Sequence, residues 1–341
     1  MSVAELEDRA RDVLAPATYD FFAGGADDEL TLTDNYAAWE RLRLVRRVLS
    51  DVATVDTAIE LLGLSLPHPI GIAPIAYQGL LHEEAEAGTA RGAAAEGALN
   101  IVSTRSSLSL EEIADAAPNA PRWFQVYVLR DRKLTGELAR RAAASGYRAL
   151  VLTGDTPVLG RKERDVRNAF TVPEEHARGN LRGLRHEPES AQDPSTSFDD
   201  IGWLRDLSGL PVLVKGVLRG DDALRCLEAG AAGVIVSNHG GRQLDGSVST
   251  AEALPEVAAA VGAAAPVLVD GGIDSGADVV RALARGADCV LIGRVAAWAL
   301  ATRGGDAVAE LLRRLLEELS DALALAGCRS PADCNPGLLR G

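Results

Sequence analysis

The chain has 341 residues, 47% hydrophobic and 25% charged, with a formal net charge of −14. So much apolar material excludes wholesale disorder, and the negative charge disfavours nucleic acid and anionic membrane surfaces as partners. No charged-then-apolar leader and no apolar run of about 18 residues stands out, so a soluble cytoplasmic protein is expected.

Residues 1–45 read as helical: Leu6, Ala10, Val13 and Leu14 have helical spacing, Pro16 punctuates, and the pair Gly24-Gly25 is a helix stop. Residues 1–66 are expected to form a helical extension before the main domain. From residue 70 short apolar runs alternate with alanine-rich helical stretches. The runs are Ile70–Ala73, Ile101–Val102, Trp123–Val128, Ala149–Leu152, Val212–Val214, Gly233–Val236, Val267–Val269 and Cys289–Ile292. Helical stretches between them include Glu83–Gly97, Lys133–Ser145, Asp221–Ala229, Thr250–Val261 and Gly276–Arg285. Strands alternating with helices in this number predict an α/β fold, a (β/α)8 barrel over residues 67–305. A doubly wound sheet is the competitor, and neither GxGxxG nor GxxxxGK[ST] supports it.

One connection breaks the rhythm. Between Asp155 and Pro211 runs a long polar stretch, and residues 158–198 are expected to be a mobile lid over the barrel mouth. Residues 306–341 should add an amphipathic helix, Ala307–Leu325, and a polar tail. The four cysteines, Cys226, Cys289, Cys328 and Cys334, lack CxxC spacing and read as free thiols, with no metal expected.

Chemistry in such barrels sits at the C-terminal ends of the strands, and these ends are polar. The first gives Pro74, Ile75 and Ala76; the second, Ser103 and Thr104; the third, Gln125 and Tyr127, on one side of their strand. The fourth gives Thr153 and Asp155, and the fifth Lys215. From the sixth come Ser237, His239 and Arg242, in the string Ser237-Asn-His-Gly-Gly-Arg-Gln243. The seventh ends in Asp270-Gly271-Gly272 and the eighth in Gly293-Arg294. Singly each is an ordinary polar group at a barrel rim. Together they pair a base with a fixed cation on a glycine loop. Gln125, Thr153 and Ser103 can meet the pyrimidine edge of an isoalloxazine ring. A buried Lys215 can stabilise negative charge on its reduced form. The late glycines and Arg294 suit a phosphate, although a sugar phosphate would use the same pocket.

These strings resemble those of the FMN-dependent 2-hydroxy acid oxidoreductases, which include glycolate oxidase, lactate oxidase and mandelate dehydrogenase. The resemblance runs from Tyr19-Asp-Phe-Phe-Ala-Gly-Gly-Ala26 to Ala326-Gly-Cys-Arg-Ser330, through Phe124-Gln-Val-Tyr-Val128, Leu152-Thr-Gly-Asp-Thr-Pro157 and Leu213-Val-Lys-Gly-Val217. It implies oxidation of a 2-hydroxy acid to a 2-oxo acid, with oxygen or another electron acceptor, in a homotetramer. It makes His239 the catalytic base, bonded to Asp155. Arg242 would hold the substrate carboxylate, Tyr127 would bond the reacting hydroxyl or the carboxylate, and Lys215 would serve the flavin. FMN would be held by Pro74, Ile75, Ala76, Ser103, Gln125, Tyr127, Thr153, Lys215, Ser237, Asp270, Gly271, Gly272, Gly293 and Arg294.

The chain departs from the family pattern at the substrate side. Phe21 stands where a tyrosine is usual, and Lys162 where an arginine is usual. A lysine cannot make the planar two-pronged contact, and neighbouring Arg161 or Arg164 could reach in instead. Arg105 replaces an aromatic pocket residue, Ile75 a common threonine, and Asp274 a phosphate-side arginine. A larger hydroxy acid, with a second polar or anionic group for Arg105, is therefore expected. Two other readings stay open: an enzyme of this ancestry acting on a natural-product intermediate, and an FMN-binding protein without turnover.

Overall fold

The structure, a computed structural model, describes residues 3–177, 179–181 and 191–340. Eight parallel strands close into a barrel: β1 Ile70–Ile72, β2 Asn100–Val102, β3 Arg122–Val126, β4 Leu150–Thr153, β5 Val212–Val217, β6 Gly233–Val236, β7 Val267–Asp270 and β8 Cys289–Ile292. Each pairs with its neighbours in sequence, and β8 pairs back to β1.

Strand geometry sorts side chains with a period of two. Ile101, Trp123, Val151, Leu213, Ile235, Leu268 and Leu291 point inward and form one buried cluster. A hairpin, Ile59–Leu61 paired with Leu64–Leu66, adds Leu61 and Leu66 to that cluster and closes this end of the barrel. The alternating residues, such as Val102, Phe124, Leu150, Val212, Val234, Val267 and Val290, face the helices in a second, larger core.

Three helices precede the barrel: α1 Val3–Val13, α2 Pro16–Ala23 and α3 Leu30–Arg41. Helix α2 stops at Gly24, as expected, but Gly24 is extended at φ −67° and is not a left-handed cap. Its neighbour Gly25 packs so closely on the Gly241 carbonyl that a Cβ would lie 2.9 Å from that oxygen. The barrel helices are α4 Ala85–Ala95, α5 Leu110–Ala116 and α6 Arg132–Ala144 in its first half. Short helices α7 Glu163–Arg167 and α8 Glu174–Ala177 and then α9 Asp199–Ser208 follow β4. The remainder are α10 Gly220–Glu228, α11 Thr250–Val261, α12 Gly276–Ala284 and α13 Arg294–Ala326.

The C-terminal helical segment, Arg294–Ala326, is two helices that meet at a break at Arg303 (φ −154°) and Gly304 (φ 64°); the second agrees with the expected Ala307–Leu325, and the first was not anticipated. Helices α5 and α9 and the hairpin were not anticipated. In the expected lid, residues 178 and 182–190 lie outside the described residues. Part of its remainder is anchored. Buried Asn180 donates to the carbonyls of Ser103 (3.3 Å) and Thr104 (3.1 Å) and accepts from the Leu110 amide at 2.7 Å. No helix among the described residues is long and apolar enough to cross a membrane.

Candidate active site

The inward column of each strand continues past the apolar plug. Two residues beyond Ile101, Trp123, Val151, Leu213, Ile235, Leu268 and Leu291 stand Ser103, Gln125, Thr153, Lys215, Ser237, Asp270 and Gly293. A further step of two reaches Tyr127, Asp155 and His239. Strand periodicity therefore stacks an apolar floor, a polar tier and an upper tier of reactive groups in one barrel mouth.

The polar tier is joined sideways. Gln125 accepts from Ser103 Oγ (3.3 Å) and the Thr104 amide (3.1 Å), and donates to Thr153 Oγ1 at 2.9 Å. On the opposite arc Lys215 Nζ donates to Ser237 Oγ at 2.7 Å and lies 3.1 Å from Asp270 Oδ2. Lys215 is only 4% exposed, so this ion pair is desolvated. An ammonium has three donors, which leaves one for a ligand. Asp270 Oδ1 is buried and has no protein partner.

In the upper tier His239 Nδ1 lies 3.0 Å from Asp155 Oδ1. Burial works to raise the Asp155 pKa, but His239, Lys215 and Thr156 outweigh it and hold the group below the ordinary carboxylate value. Gly216 makes room for this carboxylate. It sits in a bulge of β5 at φ +107°, and a Cβ there would lie 2.5 Å from that of Asp155. His239 itself is left-handed at φ 59°, and its amide donates to Ser237 Oγ at 3.0 Å. Such a backbone costs a non-glycine residue about 1–3 kcal/mol and persists only where surroundings enforce it.

Arg242 and Lys162 stand beside the upper tier. Arg242 Nη1 donates to the carbonyls of Phe21 (2.8 Å) and Gly24 (2.7 Å), and its guanidinium lies 5.3 Å from the Phe21 ring centroid. Burial, then Arg294, pushes its pKa down to about 10, so it stays charged at neutral pH. Burial, then Arg242, brings Lys162 down to about 8, and its Nζ donates to Gly160 O at 2.9 Å. The two arginines near Lys162 do not substitute for it. Arg164 forks onto Glu29 at 2.7 and 2.6 Å, and exposed Arg161 pairs with Glu163. Tyr127 has its pKa raised, by burial and then by Asp155, so its hydroxyl stays protonated.

Phe21 stacks on Phe170 (4.8 Å between centroids) and approaches Tyr77 (6.2 Å), so position 21 belongs to an aromatic wall. Arg105 reaches Gln192 Oε1 at 3.5 Å, while its charge also bears on Tyr127. The guanidinium of Arg294, the expected phosphate cation, bonds the carbonyls of Phe22, Gly24 and Gly240 at 2.9–3.1 Å. Asp274 is pushed up to about 7 by burial and by Asp278, Glu318 and Glu40.

Comparison with known proteins matches this geometry. The profile of the FMN-dependent dehydrogenases matches residues 10–341. The chain belongs to this family. It is 43% identical to the L-lactate oxidase of Nostoc sp., covering 99% of this chain and 98% of that protein. It is 45% identical to the 4-hydroxymandelate oxidase of Amycolatopsis orientalis, covering 97% and 95%. A crystal structure of mandelate oxidase with benzoyl-formic acid superposes with a TM-score of 0.92 at 44% identity, covering 99% and 97%.

The mouth fits FMN, the cofactor of the family. Asp270 Oδ1 is a buried acceptor lacking a donor, and a hydroxyl of bound FMN would supply one. A Cβ added at Gly293 would meet nothing within 4 Å, so the end of β8 leaves open space beside the start of α13, where the backbone N–H groups would hold the FMN phosphate. Ser103, Gln125, Thr153, Lys215 and Ser237 would hold the ring, with Pro74 to Ala76 at the end of β1.

Some groups that shape this site were missed in the sequence. Glu86, 2% exposed, accepts from the amides of Gln78, Ser107 and Leu108, fixing the loops after β1 and β2. Asn35 and Asn238 form a buried amide pair. Asn238 lay within the string already singled out; Asn35 carries no local signal.

Proposed function

We propose that this FMN-dependent 2-hydroxy acid oxidoreductase acts on a substrate larger than glycolate or lactate, and passes its electrons to oxygen to give hydrogen peroxide. In this reading His239 takes a proton from the substrate, and Asp155 stabilises the imidazolium that results. Arg242 and Lys162 hold the carboxylate, and Tyr127, still carrying its proton, donates to the substrate. FMN, when bound, supplies the electron sink. The observation that carries the size reading is the aromatic wall. Phe21 presents a ring and no hydroxyl beside Arg242, backed by Phe170 and Tyr77. An aryl side group would bury its surface there. The relatives named as 4-hydroxymandelate oxidase and mandelate oxidase support the same direction. Arg105 offers a cation to a second polar or anionic group on the substrate.

The His239–Asp155 pair argues against a binding protein without turnover. A natural-product intermediate as substrate is a special case of the larger hydroxy acid. A homotetramer in the cytoplasm is the proposed assembly and location. The family resemblance supports the first, and the four free thiols support a reducing compartment. The test is anaerobic bleaching of the flavin absorbance by a panel running from glycolate and L-lactate to (S)-mandelate and 4-hydroxymandelate. Bleaching should be fastest with the aryl acids, and admitting oxygen should yield peroxide. No bleaching by any acid would leave the binding protein as the reading.

A further inference from the structure

We propose that Asn35, on helix α3 outside the barrel, is a positioning residue for His239, acting through a reciprocal amide pair with Asn238. The inference rests on the reading of His239 as the base. Asn35 Nδ2 donates to Asn238 Oδ1 at 2.8 Å, and Asn238 Nδ2 donates to Asn35 Oδ1 at 2.7 Å. Asn35 is 1% exposed and Asn238 5%. Each carboxamide thus meets a donor with an acceptor and an acceptor with a donor, a match that an ionised carboxylate or an aliphatic side chain cannot make.

The same Asn238 carboxamide holds the turn that carries the imidazole. Its Oδ1 also accepts from the Gly241 amide at 3.1 Å, and its Nδ2 also donates to Val248 O at 3.1 Å. The residues on both sides of left-handed His239 are therefore fixed by one group, and Asn35 fixes that group. Asn35 reaches the neighbouring strand end too. Its carbonyl lies so near Gly272 that a Cβ there would be 2.4 Å away, and one turn on Trp39 Nε1 donates to Gly271 O at 2.8 Å. Without Asn35, a buried carboxamide loses two partners at the base of the turn. The turn can then relax towards ordinary backbone angles and swing the imidazole away from Asp155.

A pair that merely tied the extension to the barrel would affect stability alone, so the test separates the two roles. The holoenzyme is mixed anaerobically with the fastest substrate of the panel, and the rate of flavin bleaching is read in a single turnover. Flavin content and melting temperature are measured alongside. Asn35→Ala should slow bleaching by about 10- to 100-fold, the scale of a misplaced catalytic group. In a His239→Ala background the same substitution should slow the residual rate by less than about twofold, because nothing remains to be aimed. Equal losses in both backgrounds, or a folded, flavin-loaded Asn35→Ala that bleaches at the normal rate, would overturn the proposal. Asn35→Ser, which keeps one donor and acceptor, is measured in the same way where the alanine variant does not fold. If His239→Ala alone keeps its full rate, the reading of His239 as the base fails instead, and that result is distinct from any of these.

Discussion

His239 and Asp155 face each other at 3.0 Å across 84 residues of chain, one beyond the end of β6 and the other beyond the end of β4. Asp155 stands two residues past the inward-facing Thr153 at the end of β4, and the left-handed turn after β6 brings the His239 imidazole to it. Asp155 is held ionised below its ordinary pKa, so a negative charge stands ready when the imidazole gains a proton. His239→Ala should keep FMN, since the imidazole is not among the ring-edge groups. It should lose turnover by roughly 10²–10⁴-fold, the usual contribution of a positioned base. Asp155→Asn should also lose turnover while keeping its flavin. Steady-state rates with flavin content check both, and near-normal turnover in His239→Ala would remove it as the base.

The polar tier of this site could be read from the sequence because it stands at the strand ends, and the roles of the groups above it came from the family resemblance. Gln125 and Tyr127, Thr153 and Asp155, Ser237 and His239 are each two apart, with the second member of each pair in the loop just past its strand and His239 on a left-handed turn. What was unreadable depends on distant partners. Asn35 lies 203 residues from Asn238. The break in α13 at Gly304 packs on Glu84 and His82, which belong to the loop before α4. The direction of the Arg294 side chain is set by carbonyls of α2 and of the His239 loop, and no motif encodes that. Helix α5, by contrast, had a legible start: Ser109 and Glu112 form a capping box.

Lys215 should behave differently from His239. Its ammonium is the partner of Asp270 and the donor to Ser237, in a setting with almost no water. Removing one member of a buried pair leaves the other uncompensated and costs about 3–5 kcal/mol. Lys215→Ala should therefore lose FMN affinity, flavin reduction rate and thermal stability together. Flavin titration of the apoprotein and a melting curve test this. Unchanged FMN affinity would show that the lysine does not face the ring.

If Lys162 holds the substrate carboxylate as proposed, it gives the substrate step a pH dependence. Burial, then Arg242, lowers its pKa to about 8, so the ammonium that would meet a carboxylate is present below that pH and lost above it. KM should be flat on the acid side and rise as pH climbs past about 8, with kcat less affected. For stability the sign is opposite. The unfolded chain, with a lysine near about 10.4, binds more protons than the folded one through this window, so stability rises with pH there. Lys162→Arg, charged throughout, should flatten the KM profile. A wild-type KM unchanged from pH 7 to about 9.5 would show that Lys162 does not hold the carboxylate.

In the proposed reading, the selectivity of the pocket turns on Phe21, Lys162 and Arg105. A small 2-hydroxy acid offers little beyond its carboxylate, and here Phe21 has no hydroxyl to give it. One missing hydrogen bond to a charged group costs about 1.5–3 kcal/mol, or roughly 10- to 150-fold in affinity. Glycolate and L-lactate should therefore be poor substrates. In the proposed reading an aryl acid would recover the loss by burying its ring against Phe21, Phe170 and Tyr77. Phe21→Tyr combined with Lys162→Arg should raise kcat/KM for glycolate and L-lactate by about 10-fold or more. Arg105→Ala should lower it for the preferred substrate, provided that substrate carries a second polar or anionic group. Steady-state kinetics on the same panel decide the matter. A wild-type KM for glycolate or L-lactate below about 1 mM, typical of enzymes on their own substrates, would refute the size argument. It would mean that Lys162 and Arg242 suffice to hold a small carboxylate without the hydroxyl.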